Sequence, residues 1–400
     1  MEVGPGIQNP GALCLTLEKL AMKKSLVALA AFAAVGAFAQ SSVTLSGNIK
    51  GGVAHTKYSG AAAGNGNGLA IADGSSRFII GGTEDLGGGL AAVFQVDTRY
   101  RVDDNGGAPT SSPLAGGNTF VGLRGGMGMI QLGKLDTHYC LGSDQHGARA
   151  TALQASSCGI LGFVNGGANA IANASRSQNV IRYTTPNMSG FQAQANYSTS
   201  FQGSEGAVGD AGKGRAMHLG LNYGSGPFKA GVSFWDGKTE NRLATAARAD
   251  QKAATAFIDW NFGVATVGLT FDQSEIESRA ANAVTSTELQ RRAWSIPVTV
   301  PMGAGTFLFT YTKARDLKGS GYATPAALTA ATANTGASLV SVGYDYALSK
   351  RTSLGVSYAK LNNKSAAGYA LYTQAALNGT PNNAAGQDAS QLYLGVRHAF

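Results

Sequence analysis

Charge is scarce in this chain, and long apolar runs are scarcer. Of 400 residues only 14% are Asp, Glu, Lys or Arg. Beyond residue 40 no uncharged apolar stretch approaches the roughly 18 to 20 residues that a membrane helix needs, so a helical membrane protein is excluded. Cysteine and histidine are nearly missing, with Cys 3 and His 5, which leaves little from which to build a metal centre or a histidine-based catalytic site. The net charge of +8 is spread along the chain instead of gathered in a patch, which argues against a nucleic-acid binder. Glycine, in contrast, is abundant at 56 residues.

The exception to the polarity lies at the start. Met22-Lys23-Lys24 precedes an apolar stretch from Leu26 to Phe38 and the small-residue triplet Ala37-Phe38-Ala39. Residues 22–39 read as a secretory signal peptide cleaved before Gln40, and 1–21 as an upstream extension from a mis-called start. The remaining Cys140 and Cys158 are then bound for an oxidising compartment, where one disulfide or two unlinked thiols are both open.

From residue 40 onward one pattern repeats: about ten residues of alternating polarity, then a connection. Val43, Leu45, Ile49 and Val53 share one side of the first strand, and Thr44, Ser46, Asn48 and Lys50 the other. The connections alternate in kind. Seven are tight, at 82–89, 125–128, 186–190, 224–227, 262–263, 301–305 and 348–351. Eight are long, around 59–74, 102–117, 136–175, 200–213, 236–252, 273–287, 314–336 and 361–389. Fifteen connections join sixteen strands, and short turns on one rim with long loops on the other describe an all-β transmembrane barrel of antiparallel strands spanning 40–400. Sixteen strands enclose water, not a packed core. Aromatic residues such as Tyr183, Phe191, Tyr223, Trp260 and Tyr358 close many strands, as interfacial belts do. The last strand, Gln391 to Phe400, alternates throughout and would close the ring against the first.

The stretch Ser76-Arg77-Phe78-Ile79-Ile80-Gly81-Gly82-Thr83-Glu84-Asp85-Leu86-Gly87 resembles the second strand and first turn of the Gram-negative trimeric general porins. Asn118 to Leu123, Tyr183 to Asn187 with Gly190-Phe191, and Leu348 to Thr352 agree with it, as does the terminal Gly395 to Phe400. The resemblance covers 40–400 and is strongest toward members that prefer anions. It implies a homotrimer in the outer membrane, among lipid and lipopolysaccharide, that passes ions and small hydrophilic solutes. It also implies that Phe400 ends a signal read by the barrel-assembly machinery, and that the third long loop, 136–175, folds inward to narrow the pore.

On that reading the basic residues of the constriction are Arg77, Lys134, Arg176 and Arg182. Lys134 stands where the family usually has arginine, keeping the charge without the planar fork. Arg176 and Arg182 are evenly spaced with Gln178 and Val180, so both are expected to face water. Lys50, Asp97, Arg99 and Arg101 would also line the lumen, and Asp136 and Asp144 are the acids of the loop. Wall and loop together are net positive, which favours anions, unless the rim arginines serve lipopolysaccharide instead. Gly116-Gly117 and Gly81 stand where relatives often place a basic residue, which makes the constriction less basic.

His138, Cys140, Asp144, His146 and Cys158 gather potential ligands in the loop, but without the paired spacings of a zinc site; a Cys140–Cys158 staple is the better reading. No cofactor, metal or catalytic residue is expected, and no nucleic acid. The rivals are a substrate-selective channel, a structural or adhesive barrel, an outer-membrane hydrolase and a soluble sandwich.

Overall fold

The computed structural model describes residues 41–60, 68–102, 114–138, 145–165, 176–201, 214–239, 248–280, 285–372 and 383–400. The expected leader segments 1–21 and 22–39, Cys140 and Asp144 lie outside the described residues. The strands are β1 (Ser42–Gly60), β2 (Gly68–Asp73), β3 (Ser76–Gly87), β4 (Leu90–Tyr100), β5 (Thr119–Gly125), β6 (Gly128–Leu135), β7 (Ser177–Thr184), β8 (Phe191–Ser198) and β9 (Arg215–Ser225). They continue as β10 (Phe228–Lys238), β11 (Arg248–Asn261), β12 (Thr266–Arg279), β13 (Thr287–Met302), β14 (Gly305–Ala314), β15 (Lys318–Ser320), β16 (Ala337–Ala347), β17 (Thr352–Asn363) and β18 (Gln387–Ala399).

All belong to one sheet, and the short strands β2 and β15 only extend the margins of β1 and β13. The other 16 follow one another antiparallel around a ring, which β1 closes by pairing with β18 on one edge and β3 on the other. The seam is completed at Phe400, whose backbone exchanges hydrogen bonds of 3.2 Å with Gly47 in both directions. Residue 47 has to be glycine for this, because a Cβ there would lie 2.9 Å from the Phe400 ring and 2.4 Å from the Arg77 carbonyl oxygen.

Period-two alternation decides which side chains face in, and the polarity is reversed from that of a soluble sheet. On β1 Val43 is 70% exposed while Lys50 is fully covered; on β18 Leu394 is 61% exposed and Tyr393 1%. A continuous outer coat of Leu, Val, Ile and Phe would cost about 25 cal/mol per Å² in water. It is the surface expected of a lipid-spanning barrel. All seven tight turns fall where the sequence puts them.

The opposite rim differs from expectation. β10 runs to Lys238, β11 begins at Arg248, β12 runs to Arg279 and β13 begins at Thr287, so much of the expected loops 236–252 and 273–287 is strand. Apolar alternation stops earlier, but cross-strand polar pairs carry the ladder onward: Lys252 Nζ lies 3.8 Å from Glu275 Oε1, and Arg292 Nε donates to Gln273 Oε1 at 2.8 Å. The long connection after β14 holds β15 and a helix, Pro325–Thr332, started by Pro at its first turn and by Thr324 Oγ1 accepting from Ala327 N at 3.2 Å.

Candidate functional site

The connection between β6 and β7 turns into the ring, and side chains of the inner wall hold it there. His138 is bonded to Ser233 Oγ of β10 at 2.6 Å and Thr255 Oγ1 of β11 at 3.0 Å. Ala150 N donates to Asp345 Oδ1 of β16, and Ala152 N to Ser357 Oγ of β17, each at 3.0 Å. Gly355 makes that approach possible, since a Cβ there would lie 2.3 Å from the Ala150 carbonyl carbon. Lys50 Nζ donates to the His146 carbonyl at 3.0 Å, so the loop reaches across to β1.

The return limb contains a helical turn, Cys158–Leu161, whose last carbonyl, together with that of Phe163 just beyond it, faces Arg291 of β13. Arg291 Nη2 donates to Leu161 O at 2.7 Å and Nε to Phe163 O at 3.1 Å. The guanidinium is balanced by Asp272 of β12, 2.7 Å away, and both side chains are excluded from water. Leu153, Ile160, Leu161 and Phe163 pack with Leu339, Leu361 and Tyr369 into an apolar cluster inside the ring, because here a loop and not water covers the wall. Cys158 is disulfide-bonded, to a partner outside the described residues. His146 is held through Nδ1 to Thr151 Oγ1 at 2.9 Å; burial, then the charges of Lys50 and Arg149, depress its pKa to about 3. His138 and His146 are thus held by different strands, and among the described residues no cluster of three or more His, Cys, Asp and Glu is arranged to bind a metal.

The wall opposite carries the basic residues. Arg77 on β3 keeps 38% of its side chain exposed and lies 3.7 Å from Asp97 Oδ2. Arg99 is chelated by Asp97 through Nε and Nη2, both at 2.8 Å, and also donates to Ser75 Oγ at 3.0 Å. Arg101 lies just past the end of β4, with a partner of its own. Lys50, expected to line the lumen, is covered by the inward loop.

Asp136 is the hub of the loop's root: it receives Asn118 Nδ2 at 2.8 Å on one oxygen and Arg176 Nε at 3.2 Å near the other. Arg182 donates to the Asp136 carbonyl and, through Nε, to Asn196 Oδ1 at 2.6 Å. The even spacing expected of Arg176 and Arg182 does not hold. Asn179 takes φ 54 and β7 shifts register against β6 between Gly133 and Leu135, so Val180 and Arg182 are buried while Gln178 is exposed, and Arg176 precedes the strand. The same irregularity catches Lys134. It alternates with the outward Ile130 and Leu132, not with the inner Gln131, and adds its charge beside Arg176 and Asp136 at the bulge.

Two contributors escaped the sequence reading. Arg397 follows Tyr393 and Gly395 on the inner face of β18, near the charges of Asp345 and Arg77. Its inward parity follows from the alternation of the last strand, but nothing local in the sequence sets it beside Asp345 and Arg77. The Arg291–Asp272 pair was equally inward by parity; nothing in the sequence said that a helical turn would lie over it.

A model of the Gram-negative porin family matches residues 25–366. The outer membrane porin protein 32 of Delftia acidovorans is 30% identical over 392 residues, covering 95% of this chain and all (100%) of that protein. The major outer membrane protein P.IB of Neisseria meningitidis serogroup B is 30% identical over 213 residues, 52% of this chain and 57% of its own. Among solved structures, the anion-selective porin from Comamonas acidovorans has a TM-score of 0.70 at 27% identity, covering 90% of this chain and 100% of that one. The trimer form of OmpT from Vibrio cholerae, at 13% identity and a TM-score of 0.63 over 90% of this chain and 99% of its own, shares the fold.

Proposed function

Because the chain belongs to the Gram-negative porin family, we propose that its barrel is an outer-membrane diffusion channel through which small hydrophilic anions pass ahead of cations. The observation that carries the preference is the convergence of Arg77 from β3, Arg397 from β18 and Arg149 from the loop around the carboxylates of Asp97 and Asp345. Arg149 Nη1 lies 3.7 Å from Asp345 Oδ2, and both keep some exposure. Arg99 takes both oxygens of Asp97, so the guanidinium of Arg77 keeps much of its field for the water-filled path. A passing anion exchanges part of its hydration for these fixed cations, and a cation meets a barrier. The anion-selective structural neighbour and the trimeric one support the preference and a homotrimer respectively. Cys140 is the natural partner for Cys158, since Cys14 lies in the segment 1–21 expected to stand upstream of the signal peptide.

The test is the zero-current potential of single channels in a tenfold KCl gradient, with Arg77→Gln and Arg397→Gln. A unit charge about 4 Å from a hydrated ion is worth about 1 kcal/mol, so each variant should lower the chloride-to-potassium permeability ratio roughly two- to fivefold. A wild type that prefers potassium would reject the selectivity while leaving the channel; no stepwise conductance would reject both.

A further inference from the structure

A belt of buried polar side chains runs round the inner wall, and the ion preference of the pore makes no use of it. Arg182, Asn196 and His218 stand directly opposite one another on β7, β8 and β9, as do Ser233, Thr255 and Asp272 on β10, β11 and β12. Gly220 faces Ser233 across the ladder, where a Cβ would lie 3.2 Å from His218 Cε1, so the ring has room to cross to Ser233. His138 of the loop fills the gap between Ser233 and Thr255. Arg291 of β13 ends the belt at Asp272. All of these residues are buried, so each has to find its donors and acceptors among the others.

The two ends fix the direction of every bond between them. An arginine can only donate, so Asn196 turns its oxygen to Arg182 Nε, at 2.6 Å, and its amide nitrogen to His218 Nδ1. His218 Nδ1 is therefore the bare nitrogen, and Nε2–H donates to Ser233 Oγ at 2.8 Å. From the other end, the Asp272 carboxylate can only accept. Thr255 spends its one proton on that carboxylate and must receive from His138 Nε2, at 3.0 Å. His138 Nδ1 is then bare and takes the proton of Ser233, at 2.6 Å. The two directions meet at Ser233 with one bond in and one bond out, which satisfies a hydroxyl.

We propose that this one-way chain joins the anchors of the inward loop into a single unit, in which His218 sets the position of the loop's root. Arg182, at its start, also holds the Asp136 carbonyl where the loop departs. His138 in its middle belongs to the loop itself, and Arg291 at its end holds Leu161 O and Phe163 O on the return limb. Hydrogen bonds that all point the same way polarise one another, so a link weakened far from the loop loosens its hold. His218 is a positioning residue, acting on the loop through Ser233. The chain needs only the inward fold of the loop and is independent of the ion preference of the pore.

The experiment uses magnetic resonance on the full-length protein in detergent, isotopically labelled at the nitrogens of its five histidines. His138 and His218 are identified by the signals that His138→Gln and His218→Gln each remove. In the wild type both rings should carry their proton on Nε2. Asn196→Asp should move the proton of His218 to Nδ1, because a bare nitrogen cannot face the new carboxylate, whose charge Arg182 already balances. Ser233 then has to turn its own proton to His218, so the Nδ1 signal of His138 should change as well. Single-channel records give the second readout. Losing one link should raise the occupancy of sub-levels about fivefold, in Asn196→Asp and in Thr255→Val alike. Independent contacts would multiply to roughly 25-fold in the double variant, whereas one chain cut twice should stay at about fivefold. If Asn196→Asp does not insert, His218→Leu takes its place beside Thr255→Val, with the same two outcomes. A wild-type His218 protonated on Nδ1, an unchanged His138 signal in Asn196→Asp, or a multiplied effect in the double variant would each overturn the proposal.

Discussion

Replacing Arg291 with methionine should loosen the inward loop while leaving the barrel closed. The guanidinium has no exposure, donates to Leu161 O, Phe163 O and Ser274 Oγ, and faces Asp272 at 2.7 Å. Methionine keeps most of the stem volume and removes all of these, leaving Asp272 with Ser274, Thr255 and His138 as its neighbours. Breaking a buried ion pair from one side costs about 3–5 kcal/mol, chiefly because the stranded charge stays out of water. Adding Asp272→Asn removes that charge, so the double variant should recover about 2 kcal/mol relative to the sum of the single changes. The loop keeps its bonds through His138, Asp345 and Ser357, so it should fluctuate, not leave. Single-channel records of Arg291→Met should show added sub-levels, and the folded form should convert to the unfolded band at a lower temperature on denaturing gels. A steady wild-type conductance with unchanged heat stability would refute this account of the anchor, as would a double variant no better than the additive loss.

Acid should loosen the same loop by a separate route. His146 holds its pKa near 3 when docked, against an ordinary 6.5, so between those values the undocked loop binds the extra proton. Docking is therefore at full strength above pH 6.5 and weakens by about 1.4 kcal/mol per unit as pH falls toward 3. Channel noise should rise at pH 4.5 and not in His146→Gln; an identical acid response in both would discard the idea. Gly355→Val should push the loop from the wall at Ala150, costing about 1–3 kcal/mol of overpacking and altering the conductance level, and a wild-type level would show that the approach is not tight. Cys158→Ser should shift the stability of the loop but not that of the barrel, as seen by proteolysis of the inserted channel; cleavage no faster than wild type would remove the disulfide from the anchoring scheme.

The ring was legible because its rule is local: parity along β1 or β18 can be read without knowing any neighbour, and tight turns carry their own glycines and prolines. Arg77, Arg99 and Asp97 followed from that rule. Lys134 and Arg176 did not, because one residue at positive φ, Asn179, and one register shift at Gly133 change the phase at the point where the loop departs. Arg182 was placed on the right face, but its role is to hold the Asp136 carbonyl. Lys50 faces inward, as read, yet a segment about a hundred residues away covers it, since |i−j| is 96 for its bond to His146. Parity gives the side of the wall, and says nothing about which stretch of chain lies over it. Charge counting overstates the free field for the same reason: Arg99, Arg176 and Arg182 are spent on neighbours within the wall.

The seam between β1 and β18 joins segments so distant that the bond from Gln391 Nε2 to Thr56 Oγ1 spans 335 residues. Every strand in the ring but these two can find its neighbours as the chain emerges; these two must wait for one another. Until they meet, two unpaired edges face lipid that offers their amides nothing. Closure is therefore a late, all-or-none event, and once made it has to be undone at full length before any strand can leave. The persistence of the folded channel is then set by a rate, the slow parting of a single ladder, more than by the sum of the contacts it holds.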